Sequence, residues 1–313
     1  MNQLQAITSK SIINQSPPGI QDLLDSFFQN RAEETLKAYE KDLRFFAEWV
    51  GDTIASAARM LITAGQGKAN LIVLQYRNYM LDRLAPNTIN RRLAAINSLV
   101  KQANLIGLIS WELQIEGVKA ENYKDTSGPG LINIKLILNK ILERGDKKGL
   151  RDYAIARLLF DLGLRRGEIS RLNKIDFNSD DKSLNVIGKG KRESIALTLP
   201  EKTFQAISEY LNCIDTNPGD PLFINFDRAG KGKRLTGSGI FAILKAYAKK
   251  AGVKRFNPHG WRHTAITTVL DTTKDYRITR AFSRHRKVET IQLYDDNKCD
   301  FGGNAAKQIS ELI

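Results

Sequence analysis

The chain is 313 residues long, 42% hydrophobic and 26% charged, with a formal net charge of +14 and a pI near 9.7. This balance excludes a disordered chain and leaves room for two domains. No apolar run approaches the roughly 18 residues that cross a bilayer, and no basic-then-apolar leader opens the sequence.

Residues 1–19 read as a flexible arm ending in the turn Pro17-Pro18-Gly19. From Gln21 to Gly107 the pattern is helical: Leu36, Tyr39, Leu43, Phe46 and Val50 recur at spacings of three and four. A second helix is predicted over 53–63 and a third over 69–84. Pro86 and Asn87 open another, which carries Ile89, Leu93, Ile96 and Val100 on one face and stops at Gly107. These stripes predict a bundle of about four helices over 20–116. Arg77, Arg83, Arg91 and Arg92 are expected on its exposed side, where by themselves they read as a solvated face. From Gly117 to Gly130 no apolar period survives, so this stretch reads as a linker.

The second domain, 131–313, opens with helices predicted at about 131–143 and 149–162. Gly163-Leu164-Arg165-Arg166-Gly167-Glu168 follows, then a short helical piece to Leu172. Two strand-like runs, Ser183 to Ile187 and Ser194 to Leu199, flank Gly188-Lys189-Gly190-Lys191-Arg192, a hairpin tip crowded with cations. Pro200 starts a helix to about 212. A second basic loop containing Lys231, Lys233 and Arg234 precedes a helix at 237–251. Further helices are predicted around 275–283 and just before Tyr294, and Ala305 to Ile313 reads as a short amphipathic helix in the tail. The expected class is mainly α with a small antiparallel β-sheet.

Charge is unevenly distributed. Residues 1–116 hold 12 Lys and Arg against 11 Asp and Glu, whereas 117–313 hold 36 against 23. The excess points to a polyanionic partner, nucleic acid before a membrane surface, because no lipid motif or anchoring helix accompanies it. Cys213 and Cys299 are the only cysteines, too few for a disulfide framework or a four-ligand zinc site. They read as reduced thiols of a cytoplasmic protein.

All three histidines of the chain fall between His259 and His285. On a helix His259 and Arg262 share a face and present a proton carrier and a fixed cation to one point. A phosphate suits that point, because a guanidinium matches its oxygens in a two-pronged fashion. Tyr294 supplies a phenol able to attack phosphorus. Singly, each residue has a bland reading: Lys189 a solvated hairpin lysine, and Arg165 with Arg166 a surface pair. His259 and His263 have helical zinc-pair spacing, but Gly260 stands where a zinc protease needs Glu. Neither glycine-lysine loop has the spacing of a nucleotide cradle. No metal or other cofactor is expected.

The ordered set is more specific. Gly-Leu-Arg165-x-x-Glu168, Gly-Lys189-Gly-Lys, His259-x-x-Arg262-His263, then His285 with Tyr294 nine residues on, resembles the tyrosine recombinase (phage integrase, Xer-type) family over nearly the whole chain. The resemblance implies that residues 20–116 are a core-binding DNA-clamp domain and 131–313 the mixed α/β catalytic domain. It implies that Tyr294 attacks the scissile phosphate to leave a 3′-phosphotyrosyl link and a free 5′-hydroxyl. Arg165 and Arg262 hold the non-bridging oxygens, and Lys189 protonates the departing 5′-oxygen. His259 is acid and base toward the tyrosine, His285 donates to the phosphate, and Glu168 supports the cluster from behind. Arg77, Arg91, Arg92, Lys191, Arg192, Lys231, Lys233 and Arg234 become DNA contacts. Double-stranded DNA is the implied partner, with four protomers on two sites and room for a partner recombinase or accessory protein; the tail docks on a neighbour in that family, and Ile309, Leu312 and Ile313 suit that use or equally a fold back in cis. A nucleoid-associated cytoplasmic location follows.

The chemistry agrees: a phenol with pKa near 10 needs a base or a strongly cationic site to attack at neutral pH. This chain departs from the family's usual Leu-Gly-His, having Phe282-Ser283-Arg284-His285, and the missing glycine bears on the local backbone and the aim of His285. Trp261, where the family often has Leu, is expected to pack as an apolar residue. Tyr276 is a rival nucleophile at the wrong distance from His285. Rival functions are a topoisomerase-like activity, a non-catalytic or regulatory DNA-binding protein on the same fold, and a membrane- or polyanion-binding surface protein.

Overall fold

The structure, a computed structural model, describes residues 18–29, 33–119, 128–188, 193–215, 217–254, 256–292, 294, 307 and 309–311. The chain divides into two compact units, Met1–Asn122 and Tyr123–Ile313.

The regular structure of the first unit is helical throughout among its described residues: α1 (Ile20–Phe28), α2 (Glu33–Val50), α3 (Ile54–Thr63), α4 (Gln66–Leu81) and α5 (Pro86–Leu105). That makes five helices where the apolar stripes predict about four. The extra one is α1, which buries Leu23 and Phe27 and ends where Gln29 turns extended. Thr53 caps α3 by accepting from the Ser56 N–H at 3.2 Å, and Pro86 occupies the first turn of α5, where no N–H is needed. Phe46 and Tyr76 meet edge to face with centroids 5.1 Å apart at the centre of the core, among Leu43, Ile96 and Leu99. Past α5 the chain remains tied down: Asn90 exchanges hydrogen bonds with Val118, N–H to Oδ1 at 2.7 Å and Nδ2 to carbonyl at 2.9 Å.

The second unit begins with α6 (Gly130–Leu142), α7 (Lys147–Asp161) and α8 (Arg166–Arg171). A three-stranded antiparallel sheet follows in the order β1 (Phe177–Asn178), β2 (Ser183–Ile187) and β3 (Ser194–Thr198), with Val186 opposite Ile195. β1 is absent from the predicted elements because two residues carry no alternation to read. Then come α9 (Glu201–Leu211), α10 (Gly237–Lys250), α11 (Pro258–Thr273), α12 (Tyr276–Ser283) and α13 (Glu289–Gln292). Side-chain caps from Asp146, Thr236 and Asp275 start α7, α10 and α12. The core gathers Ile137, Leu158, Leu164, Ile169, Leu184, Tyr210, Leu244 and Trp261. Trp261 is fully buried, edge to face with Phe256 at 6.1 Å, so it packs as an apolar residue. Gly128 lies so near the first turn of α11 that a Cβ there would collide with the Gly260 carbonyl and the Thr264 hydroxyl. Among the described residues no helix is long and apolar enough to cross a membrane.

Candidate active site

The second unit brings together residues far apart in sequence. Arg165 precedes α8, just after a turn at Gly163 whose φ of +53° favours glycine. A Cβ on Gly163 would also press against the Phe282 ring at 3.0 Å. Arg165 is held from behind by Glu168: its own N–H donates to Oε2 at 2.9 Å and its Nη1 to Oε1 at 2.9 Å. The Glu168 side chain is 1% exposed whereas that of Arg165 is 33% exposed, so the carboxylate is the buried anchor and the guanidinium keeps an open edge. Burial pushes the Glu168 carboxyl up, but the Arg165 N–H and the charges of Arg284 and Arg165 outweigh it and hold the pKa below the ordinary range.

Arg262 projects from α11 and is 1% exposed. Its Nη1 donates to the Gly163 carbonyl and its Nη2 to the Ser283 carbonyl, while its buried Nε has no partner among the described residues. Burial, and then the positive charges of Arg165 and Arg284, draw its pKa down to about 10, which still leaves it charged at neutral pH. Three guanidiniums therefore face one carboxylate, a surplus of positive charge in a nearly dry place, which suits an anion.

Tyr294 follows α13, its N–H donating to the Ile291 carbonyl at 2.8 Å. It is 6% exposed. Its ring lies 4.8 Å from that of His263 and 5.4 Å from that of His285. Burial raises the phenol above its usual 10; the charges of Arg262 and Arg165 and a hydrogen bond with Arg262 oppose this. The phenol thus rests protonated beside the cations that favour its ionised form.

Of the residues singled out by sequence, Arg165, Glu168, Arg262, His285 and Tyr294 converge. His259 sits in the first turn of α11, but its side chain lies outside the described residues, as do Lys189, Lys191 and Arg192. Arg77 and Arg92 are half-buried rather than exposed. Arg92 lies 4.0 Å over the Phe45 ring with Nη1 on the Tyr76 hydroxyl, and Arg91 pairs with buried Asp42 at 2.5 Å. Lys231 and Lys233 are exposed, whereas Arg234 donates to the Ser170 and Leu172 carbonyls and to Asn173 Oδ1. Two residues given no role by sequence also enter the site. His263 packs on Tyr294 and carries a 3.3 Å contact to Thr267 Oγ1, and its signal was its place one turn after His259. Arg284 is the other, and its position in place of a glycine was its only signal. Among the described residues no three His, Cys, Asp or Glu side chains gather as metal ligands.

Comparison with known proteins points the same way. Residues 133–299 match the phage integrase family. The chain is 36% identical over 302 residues to a tyrosine recombinase of Synechococcus elongatus, covering 93% of this chain and 94% of that protein. It is 38% identical over 301 residues to one of Synechocystis, covering 94% and 96%. XerH recombinase bound to its difH substrate shares the fold at a TM-score of 0.67 and 16% identity, over 92% of this chain and 84% of that one. A Tn1549 transposon integrase in complex with circular intermediate DNA matches at a TM-score of 0.67 and 17% identity, over 92% and 98%. Fold and site together define a DNA strand cleaving and rejoining enzyme. The chain belongs to the phage integrase family, among its tyrosine recombinases, and acts as a site-specific DNA recombinase on that footing.

Proposed function

We propose that this recombinase cuts duplex DNA by attack of the Tyr294 hydroxyl oxygen on the scissile phosphorus. The P–O5′ bond breaks, and a 3′-phosphotyrosyl link and a free 5′-hydroxyl result. Arg165 and Arg262 hold the non-bridging oxygens and stabilise the charge that builds on them. His259 takes the phenolic proton, Lys189 delivers one to the departing 5′-oxygen, and His285 donates to the phosphate. Glu168 aims Arg165. Attack by a 5′-hydroxyl on the phosphotyrosine reverses the step, and because the bond energy is conserved no nucleotide is consumed.

The observation that carries this reading is the burial of Tyr294 against His263 and His285 under the charges of Arg262 and Arg165. DNA contacts are assigned to Arg77 and Arg91 on the core-binding unit and to Lys191, Arg192, Lys231 and Lys233 on the catalytic one. Arg92 and Arg234, committed within their own units, brace those surfaces. Assembly as a tetramer on two sites, with the tail on a neighbour and recruitment of a partner recombinase or accessory protein, completes the proposal, in a nucleoid-associated cytoplasmic setting.

The direct test traps the protein on a nicked suicide duplex and maps the attached residue. Attachment at Tyr294 is expected; attachment at Tyr276 or elsewhere overturns the assignment. Lys189→Ala is expected to slow cleavage, and a 5′-bridging sulfur, which leaves without a proton, to restore it. Cleavage that stays slow on the sulfur substrate removes Lys189 from the acid role.

A further inference from the structure

We propose that Arg284 is a positioning residue that braces both phosphate-binding arginines at once, through Glu168 on one side and the Gly163 carbonyl on the other. The inference rests on the reading of Arg165 and Arg262 given above.

Arg284 ends α12 in the left-handed conformation, at φ +57°, its N–H donating to the Arg280 carbonyl at 2.8 Å. A side chain is strained there by its Cβ, and glycine is not. The backbone bend that a glycine would serve is therefore kept, and a guanidinium has been added to it. That guanidinium is not a solvated surface charge, since its side chain is 12% exposed. Nη1 donates to the Leu162 carbonyl at 3.0 Å and the Phe282 carbonyl at 3.1 Å. Nη2 donates to the Gly163 carbonyl at 3.3 Å and to Glu168 Oε2 at 3.4 Å.

Each of the last two acceptors is shared with a site arginine. The Gly163 carbonyl also accepts from Arg262, and Glu168 Oε2 also accepts from the Arg165 N–H. One side chain thus ties the turn that seats Arg262 to the carboxylate that aims Arg165. Removing it leaves the 162–163 carbonyls short of donors and Glu168 short of a cation in a nearly dry pocket. The two arginines would then lose their fixed separation, and separation is what a transferring phosphate demands. Burial lowers the Arg284 pKa, and Glu168 is the nearby charge that opposes this, as expected of a bracing ion pair.

The test measures single-turnover cleavage of the suicide duplex, DNA affinity and melting temperature for wild type, Arg284→Gly, Arg284→Lys, Glu168→Gln and the Gly/Gln double variant. Arg284→Gly suits the backbone and is expected to fold, to bind DNA within about threefold of wild type, and to cleave about tenfold or more slowly. Arg284→Lys keeps a charge without the fork and should fall between. In the Glu168→Gln background the further loss from Arg284→Gly should shrink, because both act on one network. Wild-type cleavage by Arg284→Gly, or losses that simply add in the double variant, would overturn the bracing role. If the glycine variant does not fold, Arg284→Lys decides: slow cleavage at an unchanged melting temperature supports the role, and wild-type cleavage refutes it. Wild-type protein serves as the separate arm. An adduct on Tyr294 with no effect at position 284 sinks this inference alone, whereas no Tyr294 adduct in wild type sinks the reading beneath it.

Discussion

The helical unit buries Asp42 beside arginine and the catalytic unit buries Glu168 beside arginine, and these two carboxylates are held in opposite ways. In the helical unit Asp42 is fully buried, with Arg91 at 2.5 Å on Oδ2 and no partner among the described residues on Oδ1. Burial wins over the charges of Arg91 and Arg92, so its pKa is raised. In the catalytic unit Glu168 is as deeply buried, yet three donors from Arg165 and Arg284 hold its pKa down. The difference lies in the number of donors: one guanidinium nitrogen reaches Asp42, whereas Glu168 accepts three. A single donor on a buried acid makes a structural pair, whereas two arginines on Glu168 with a third, Arg262, alongside leave positive charge over for a ligand. The same residue types make a structural pair at Asp42 and the proposed phosphate cluster around Glu168.

The contrast can be broken or sharpened by substitution. The largest effect is expected from Tyr294→Phe, which should bind DNA and yield no covalent complex on a denaturing gel. An adduct persisting in that variant would remove Tyr294 as nucleophile. Next is Arg262→Ala, expected to slow cleavage by about 10²–10³, the range for loss of one donor to a developing anion. Single-turnover rates check this, and a loss confined to DNA affinity would argue against it. Glu168→Gln should cost on the order of 3 kcal/mol of stability at pH 7, since it leaves two arginines without their anion. The sign follows from its depressed pKa: the carboxylate stabilises above the ordinary 4.5, and that stability is lost as pH falls below it toward the folded value. Urea midpoints of Glu168→Gln and wild type should therefore converge in acid. The smallest effect belongs to Asp42→Asn. A raised pKa means that the proton stabilises the fold below the ordinary 3.8 and that this stability is lost as pH rises through the folded value. An uncharged amide at pH 7 should then leave stability within about 1 kcal/mol of wild type. Equal costs at Asp42 and Glu168 would erase the distinction between the units.

Much of this was legible in sequence because period and order are local properties. The stripes at 36–50 and 89–100 lie on the inward faces of α2 and α5, and the runs 183–187 and 194–199 pair as β2 and β3, the latter one residue shorter than expected. Gly163, read only as part of a motif, proves to need both its positive φ and its missing Cβ. What escaped was short or long-range. β1 has two residues, and the separation of α1 from α2 depends on how Leu23 and Phe27 pack rather than on a new period. Arg91 pairs across 49 positions and Arg234 across more than 60, so neither engagement shows in the neighbouring residues. Arg284 shows in the sequence only as a departure from a glycine, and its reach to carbonyls about 120 positions earlier is invisible to spacing.

By itself the sequence determined the family, the helical character of both units, the identity of the nucleophile candidate and the excess of cations after residue 116. Those properties are written in residue type, order and periodicity, which need no partner to be expressed. Only the tertiary structure decided which arginines are held and which keep an open edge, that Glu168 is the anchor on which two of them converge, and that the bend at 284 survives with a side chain on it. These depend on burial and on contacts between distant segments, because a charge acquires its role from the solvent it loses and the groups it then meets.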